Sequence, residues 1–466
     1  MFNKLKISFF VMLLFGSGCQ GLTNHGFQGE KYIKNGKKYG VVKCFFRHEW
    51  WNYYERGLSF ADGDFFEEAK QDIQKALTIQ EGDTWRTELY GDWYSGYFPH
   101  RELGIIYYHM GEMENAIKEL KYSLKCVETE KGKKYLALTK ALIKSKQEYD
   151  LIKDDVINPI INISDMGNGL PTYLDHTIIT VHAWDNNQLK SVFINDDNFL
   201  KSPKKQIYFT HILDLPKTGK NLYTIKAMDK SKLDNSIIFE KVKKEQNLKY
   251  FDDRLCLFLD NFKVEKIGLS PIKSTPLPFN VLKNICNDKR KRFQVYPGNK
   301  ILKNIKNNKY QICNDYKGMS SDYQLLGSIV EREKSYELYI EVIDLETKKK
   351  MAVFDVIDYT IDENILQRLS QKVFIKLSYY FPFIGGRIKE INDEEIIMEF
   401  NDISLLKNGM KLIVYKDINS NNKSINEDQI IGEIRIFKIQ NKMALAKISY
   451  KLMGTDLNTD LLVYTK

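Results

Sequence analysis

Two stretches that share one spacing decide the fold of the amino-terminal part of this chain. Residues 53–77 read YYERGLSFADGDFFEEAKQDIQKAL, and residues 100–124 read HRELGIIYYHMGEMENAIKELKYSL. When Gly57 is aligned with Gly104, a second small residue, an alanine, follows 12 positions later in both stretches. Larger apolar residues surround these positions at helical intervals. The shared pattern therefore predicts the same pair of packed helices twice.

The pattern resembles the tetratricopeptide repeat (TPR), in which two helices joined by a tight turn pack through small residues. Asp64 followed by Glu67 looks like a capping box that opens the second helix. The segment KKYLALTKALIKSK at 133–146 predicts a further helix that caps the array. The resemblance implies an all-α TPR domain over residues 44–150, with a groove that binds proteins or peptides.

An aromatic insertion separates the two helix pairs. The two glycines lie 47 residues apart, whereas simple TPR arrays repeat after roughly 34 residues. The inserted part includes YGDWYSGYFPH at 90–100, which carries five aromatic rings. These rings either pack over the helices or form a partner-binding rim, because aromatic residues and Arg anchor interfaces. The predicted partner-binding residues are Trp85, Arg86, Tyr90, Tyr97 and Arg101. We expect Trp93 and Phe98 to be packed, and Trp85 and Arg86 to be exposed.

The amino terminus has the order of a secretory signal: MFNKLK supplies two lysines, ISFFVMLLF is apolar, and GSGC ends the run. It resembles a bacterial lipoprotein signal over residues 1–18, which implies lipid attachment at Cys19. Gly16 departs from the leucine that such signals usually carry, and an ordinary signal with a chance cysteine is the alternative. Gln20 after the cysteine implies the outer membrane, and residues 19–43 would form a tether.

The composition is that of a globular protein long enough for several domains, with 466 residues of which 43% are hydrophobic. The 70 cationic and 61 anionic side chains are spread along the chain, so no nucleic-acid partner is expected. The five cysteines after Cys19 form no C-x-x-C pair, and their spacing defines no disulfide.

After residue 158 the apolar pattern changes to alternation. TIITVHAWD, LKSVFIND, QIYFTHILDL and NLYTIKAMD are short predicted strands separated by turn residues. Residues 158–245 resemble bacterial immunoglobulin-like modules, which implies a β-sandwich. Asp185 and Asp229 could be calcium ligands between strands, but such aspartates more often cap turns, so no metal is predicted.

Strands and helices alternate over residues 252–384. RFQVYPGNKILKNI, DYQLLGSIVE and YIEVIDLETKK resemble the periplasmic α/β domain of the curli secretion channel and of lipoprotein activators of penicillin-binding proteins. The curli channel has long membrane-spanning hairpins, whereas REKSY joins the strands directly here, so no pore is expected. GGRIKEINDEEIIMEF, GEIRIFKI and KMALAKIS give short strands with glycine turns after residue 384. Residues 385–466 resemble the SH3-like barrel of the flagellar-assembly T protein. The last helix before it should bury Leu366, Leu369, Val373 and Leu377.

The sequence contains no motif typical of an enzyme. Its seven histidines form no H-E-x-x-H, and there is no G-x-S-x-G, P-loop or G-x-G-x-x-G after a strand. The predicted fold class is multidomain: all-α TPR hairpins, a β-sandwich, an α/β sheet domain and a small SH3-like β-barrel. The predicted function is a scaffold without enzymatic activity or cofactor. A lipid anchor would hold it at the periplasmic face of the outer membrane, where it binds other envelope proteins. A ring-forming, homo-oligomeric component of a secretion, export or flagellar apparatus is the alternative, and an unrecognised hydrolase is a third.

Overall fold

The computed structural model describes the following residues: 32–42, 45–90, 93–151, 157–245, 250–251, 255–259, 263–266, 293–297, 322–392, 395–400, 402–416, 424–425, 429–440, 443–451, 456–459 and 461–466. Cys19 and the predicted signal lie outside these residues. Of the helices within them, none combines the length and the apolar character that a membrane span requires.

The amino-terminal unit contains helices and two small antiparallel sheets. Its elements in chain order are β1 (Ile33–Lys34), β2 (Lys37–Lys38), α1 (Trp50–Asp62), α2 (Phe66–Ile79), β3 (Thr84–Tyr90), β4 (Trp93–Tyr97), α3 (Pro99–Met110), α4 (Met113–Cys126) and α5 (Glu130–Leu151). Strand β1 pairs with β2, and β3 pairs with β4. The helices pack as two pairs, α1 on α2 and α3 on α4, and α5 packs on α4.

Two glycines let the paired helices approach closely. A Cβ atom on Gly57 would lie 2.9 Å from Cδ1 of Ile73, and one on Gly104 would lie 2.7 Å from Cγ of Leu120. Both Ile73 and Leu120 are completely buried. The repeated spacing in the sequence therefore corresponds to two helix–helix contacts.

The prediction of an all-α TPR domain, and with it the predicted fold class, is wrong. Strands are the commonest element among the described residues, which contain six helices and a closed barrel. The insertion between the helix pairs forms the β3–β4 ribbon, because residues 84–90 (TWRTELY) are rich in the β-branched and aromatic residues that favour strands. The predicted capping box is also absent: Phe65 precedes α2, and no side-chain oxygen caps that helix.

The second unit was predicted to be a β-sandwich, but its six described strands are connected in one antiparallel sheet. The strands are β5 (Ile160–Asp165), β6 (His176–Ile194), β7 (Asp197–Asn198), β8 (Lys204–Asp214), β9 (Gly219–Asp229) and β10 (Asp234–Lys243). The long β6 changes partners along its length: its first half pairs with β5 and β8, and its second half with β7 and β9. Its pairing with β8 shifts register between Trp184 and Leu189. Side chains from both halves, including Ile179 and Val192, meet in one core.

Within its described residues, the third unit combines a sheet with one helix. Its elements are β11 (Tyr250–Phe251), β12 (Leu255–Leu259), β13 (Lys263–Lys266), β14 (Phe293–Pro297), β15 (Tyr323–Glu331), β16 (Tyr336–Asp344), β17 (Lys350–Asp358) and α6 (Ile365–Tyr380). The strand order is β14-β12-β15-β16-β17, with β13 also paired to β15. Leu369, Val373 and Leu377 of α6 are completely buried, as predicted, and Leu366 is partly buried.

The carboxyl-terminal unit is a closed barrel, which confirms the prediction of a barrel there. Its strands are β18 (Gly385–Asn392), β19 (Glu395–Phe400), β20 (Lys411–Tyr415), β21 (Ser424–Ile425), β22 (Ile430–Gln440), β23 (Met443–Lys451) and β24 (Leu462–Thr465). The barrel order is β18-β19-β23-β22-β20-β24, and β21 pairs with β11 outside the barrel. Gly386 lies in β18, and a Cβ atom there would lie 2.6 Å from the Glu399 carbonyl oxygen.

Candidate protein-binding site

Two of the predicted partner-binding residues are buried inside the chain. Tyr97 is completely buried: its hydroxyl donates to the Gln80 carbonyl oxygen at 2.7 Å, and its ring centroid lies 4.4 Å from that of Trp50. Arg101 is only 2% exposed. Neither residue can contact a partner in this conformation. The side chains of three other residues with predicted roles lie outside the described part of the chain: Cys19 for lipid attachment, Tyr90 for partner binding and Trp93 for packing.

The β3–β4 ribbon lies against β16 of the third unit. Trp85, which we expected to be exposed, is half-buried and packs edge-to-face on Phe98 and Tyr339, with centroid distances of 5.7 and 5.3 Å. Phe98 is 1% exposed, as expected for a packed ring. The Arg86 side chain is 38% exposed, and its Nη1 lies 3.8 Å from Oε2 of Glu341. Trp85 and Phe98 of the insertion thus pack against the chain's own sheet.

Six buried charged side chains lie next to this aromatic contact. We call them the charge network: the cations Arg101, Lys131 and Arg332, and the anions Asp62, Glu102 and Glu337. None of the six side chains is more than 10% exposed. The positive and negative charges are equal in number, so the six groups together bury no net charge, and the loss of one member would leave an uncompensated buried charge.

Glu102 of α3 is the anion that contacts all three cations. Its Oε1 accepts hydrogen bonds from Nη2 of Arg101 at 2.8 Å and from Nζ of Lys131 at 3.0 Å. Its Oε2 accepts one from Nη1 of Arg332 at 3.1 Å. Arg332 follows β15 and also contacts Asp62, the last residue of α1, with a nitrogen–oxygen distance of 2.8 Å.

Glu337 of β16 extends the network into the third unit. Its Oε1 accepts from Nζ of Lys131 at 2.8 Å, and its Oε2 accepts from Nη2 of Arg101 at 3.0 Å. The hydroxyl of Tyr339 accepts from Nη1 of Arg101 at 3.1 Å. Helices α1, α3 and α5 therefore all meet the β15–β16 hairpin through charge-assisted hydrogen bonds.

The neighbouring cations keep both glutamates ionised. Burial by itself would raise the pKa of Glu102 and Glu337, because it removes water from the charged form. Lys131, Arg101 and Arg332 outweigh this effect and hold both pKa values below the ordinary range of a glutamate. At neutral pH the network is therefore a set of true ion pairs.

The network residues other than Arg101 were not predicted from the sequence. A signal for one pair does exist: Arg101 and Glu102 stand side by side in RELGII, at the start of a helix that is otherwise apolar. Charges are almost never fully buried unless they are paired. The helical face that carries Arg101, which we expected to bind partners, is occupied by the chain's own β15–β16 hairpin.

A second buried cluster contains two carboxylates and one lysine. Oδ2 of Asp355 accepts the backbone N–H of Glu130 at 2.9 Å. Nζ of Lys376 donates to Oε1 of Glu130 at 2.9 Å and to the Asp355 carbonyl oxygen at 2.7 Å. Burial raises the pKa of Asp355 to about 7, with Lys376 opposing this shift and the charge on Glu130 adding to it.

We expect Asp355→Asn to stabilise the protein at high pH only. The folded chain holds the Asp355 proton up to about pH 7, whereas the unfolded chain releases it near pH 4. The folded state therefore binds more protons in this window, and its stability falls as the pH rises through it. Asparagine keeps an acceptor oxygen without the charge, so the free energy of unfolding should rise by roughly 1 kcal/mol or more at pH 8 and change little at pH 4.

Urea unfolding at the two pH values measures this effect. Asp196→Asn is the matched control, because Asp196 is exposed on the second unit. It should alter stability by the same small amount at both pH values. An Asp355→Asn effect that is equal at pH 4 and pH 8 would contradict the assignment of the proton to Asp355.

The barrel is joined to the third unit by a similar set of ion pairs. Oδ1 of Asp322 lies 3.0 Å from Nζ of Lys411 and 3.1 Å from Nζ of Lys466. Asp344, at the end of β16, pairs with Nη1 of Arg435 on β22 at 2.5 Å. Buried or half-buried ion pairs thus join the third unit to the amino-terminal helices and to the barrel.

The described part of the chain contains no group of three or more His, Cys, Asp and Glu side chains that could hold a metal ion. The two candidate calcium ligands accept backbone N–H groups from their own turns. Oδ1 of Asp185 accepts from Asn187 at 2.9 Å, and Oδ1 of Asp229 accepts from Leu233 at 2.8 Å. These contacts are those of turn-capping aspartates.

No protein-family model matches this sequence, and no curated protein matches it either. Among solved structures, the chain is similar to the LpoB C-terminal domain from Escherichia coli, with 10% identity over 22% of this chain and 82% of that one, and a TM-score of 0.17. Lipoprotein GNA1162 from Neisseria meningitidis matches with 11% identity over 27% of this chain and 96% of that one, and its TM-score is 0.17. TolB from Acinetobacter baumannii matches with 11% identity over 33% of this chain and 38% of that one, and its TM-score is 0.18. The chain therefore has distant structural similarity to bacterial proteins, one of them a lipoprotein.

Proposed function

We propose that this chain is a non-enzymatic, lipid-anchored scaffold of the bacterial cell envelope that holds other envelope proteins in a fixed arrangement. The charge network carries the proposal, because it joins α1, α3 and α5 to the β15–β16 hairpin with buried ion pairs. Units fixed in this way present their outer surfaces in a constant geometry. A pre-organised surface loses less conformational entropy when a partner binds.

Partners would bind the outer surfaces, because the helical face around Arg101 is occupied. Large apolar side chains are exposed on three different units: Tyr122 of α4 at 40%, Ile238 of β10 at 68% and Tyr450 of β23 at 58%. Single exposed apolar residues are common in monomeric proteins. These three positions are therefore suitable probes for partners and do not by themselves define a binding surface.

Photo-crosslinking in intact cells tests the scaffold. A benzoylphenylalanine residue is placed in the full chain at position 122, 238 or 450, and position 339 is the control, because Tyr339 is only 4% exposed. We expect at least two of the three exposed positions to yield discrete adducts with different envelope proteins, and position 339 to yield none. A Cys19→Ser background should release the chain from the membrane fraction and weaken these adducts.

Three outcomes of this experiment would contradict the proposal. An absence of adducts at all three positions would indicate that these outer surfaces do not bind envelope proteins. Adducts with one protein from one unit alone would indicate a dedicated binding module. A regular ladder of adducts between copies of the chain would favour the ring-forming alternative.

A further inference from the structure

We propose that a small oxyanion, carried on a carboxylate or on a tetrahedral group such as sulfate or phosphate, binds at Lys134 and Tyr359. This site lies at the junction of three units. Lys134 belongs to the second turn of α5, Tyr359 follows the last residue of β17, and Lys204 begins β8. The inference is independent of the scaffold function proposed above.

Lys134 has no anionic partner among the described residues. Its Nζ lies 3.1 Å from the ring centroid of Tyr359 and 5.9 Å from that of Tyr135. Both contacts are cation–π contacts, and a ring face offers the amine no hydrogen-bond acceptor. The side chain is half-buried, so water can satisfy the amine only in part. When it is protonated, Lys134 is a cation whose charge no described carboxylate balances.

Tyr359 supplies a second donor without an acceptor. Its hydroxyl oxygen is buried and has no hydrogen-bond partner within the described ranges of the chain. A buried hydroxyl without a partner is uncommon, because it gives up its hydrogen bonds to water without replacement. The amine of Lys134 lies over the ring of this same tyrosine. One oxyanion between the two groups could accept from both, since each of its oxygens has free lone pairs.

The charges that act on Lys134 are cationic, whereas both an anion, Glu337, and a cation, Arg101, act on Tyr359. Burial, followed by the charges of Lys131 and Lys204, lowers the pKa of Lys134 to about 7. Lys131 is already balanced by Glu102 and Glu337, so it is not available as a second ligand. A bound anion would offset this repulsion and raise the pKa of Lys134, so that anion binding and proton uptake are coupled.

Titration calorimetry of the full chain with sodium acetate and with sodium sulfate tests the site, with chloride holding the ionic strength constant. At pH 7 we expect saturable binding of at least one anion. Binding should be accompanied by uptake of about 0.3–0.5 proton, because roughly half of the Lys134 amine is neutral at its pKa. The difference in heat between two buffers of unlike ionisation enthalpy reports this uptake. Acetate and sulfate separate the carboxylate from the tetrahedral ligand.

Three variants identify the donors. Lys134→Met keeps the aliphatic stem and removes the charge, so it should weaken binding at least 10-fold and abolish proton uptake. Tyr359→Phe removes only the hydroxyl and should weaken binding about 3–10-fold. Lys140→Met on the exposed side of α5 is the control and should bind as the wild type does. Equal affinity in the wild type and Lys134→Met, or no saturable binding of either anion to the wild type, would overturn the proposal.

Discussion

Replacing Glu102 by alanine should lower the free energy of unfolding by about 3–5 kcal/mol, which is the usual cost of removing one partner from a buried ion pair. Glu102 accepts hydrogen bonds from Arg101, Lys131 and Arg332, and each of these cations is itself buried. Their other partners, Asp62 and Glu337, cannot balance three cations. The loss therefore includes the cost of an uncompensated buried charge as well as the lost contacts.

Denaturant unfolding with circular dichroism measures this loss. Glu114→Ala is the matched control, because Glu114 is an exposed glutamate on the neighbouring helix α4, and surface substitutions of this kind usually change stability by less than about 0.5 kcal/mol. For Glu102→Gln, the loss in the free energy of unfolding should lie between those of the two alanine variants. Glutamine keeps acceptor and donor atoms at this position but removes the charge. A Glu102→Ala effect no larger than that of Glu114→Ala would show that the network is not closed to water.

Local patterns in the sequence predicted local structure well. The glycine spacing predicted the contacts at Gly57 and Gly104, and the helical period predicted the buried face of α6. Each of these features depends on residues within a few turns of one another. The barrel was predicted from short alternating strands and glycine turns, which are also local signals.

The same local patterns could not predict contacts between distant parts of the chain. Arg101 and Glu337 are separated by 236 positions, and no periodicity connects them. The REKSY segment was interpreted only as a short connection, although its Arg332 contacts two helices. Arg101 was therefore predicted to bind another protein, although the glutamate that it pairs with belongs to the same chain.

The all-α prediction failed for a different reason. The prediction was based on the helix pairs on either side of the insertion, whereas the β-branched and aromatic residues at 84–90 favour a strand. In the folded chain, Trp85 of β3 packs on Tyr339 of β16 instead of facing solvent.

Phe98 is the aromatic residue on which this contact depends. It is 1% exposed and belongs to an apolar cluster with Val127 and Tyr339, against which Trp85 also packs. The guanidinium carbon of Arg101 lies 4.2 Å from the centroid of the Phe98 ring. The ring therefore covers one side of the charge network and keeps water from its cations.

We expect Phe98→Ala to lower the free energy of unfolding by about 3–5 kcal/mol, as truncation of a buried aromatic ring does. The cavity should also admit water beside Arg101, so Phe98→Leu, which refills most of the volume, should recover more than half of the loss. Phe437→Ala on the outer face of the barrel is the control, because Phe437 is 37% exposed; its effect should stay below about 1 kcal/mol. Thermal and urea unfolding of the three variants measure these differences. If Phe98→Ala were no more destabilising than Phe437→Ala, the aromatic insertion would not hold the helical unit against the sheet.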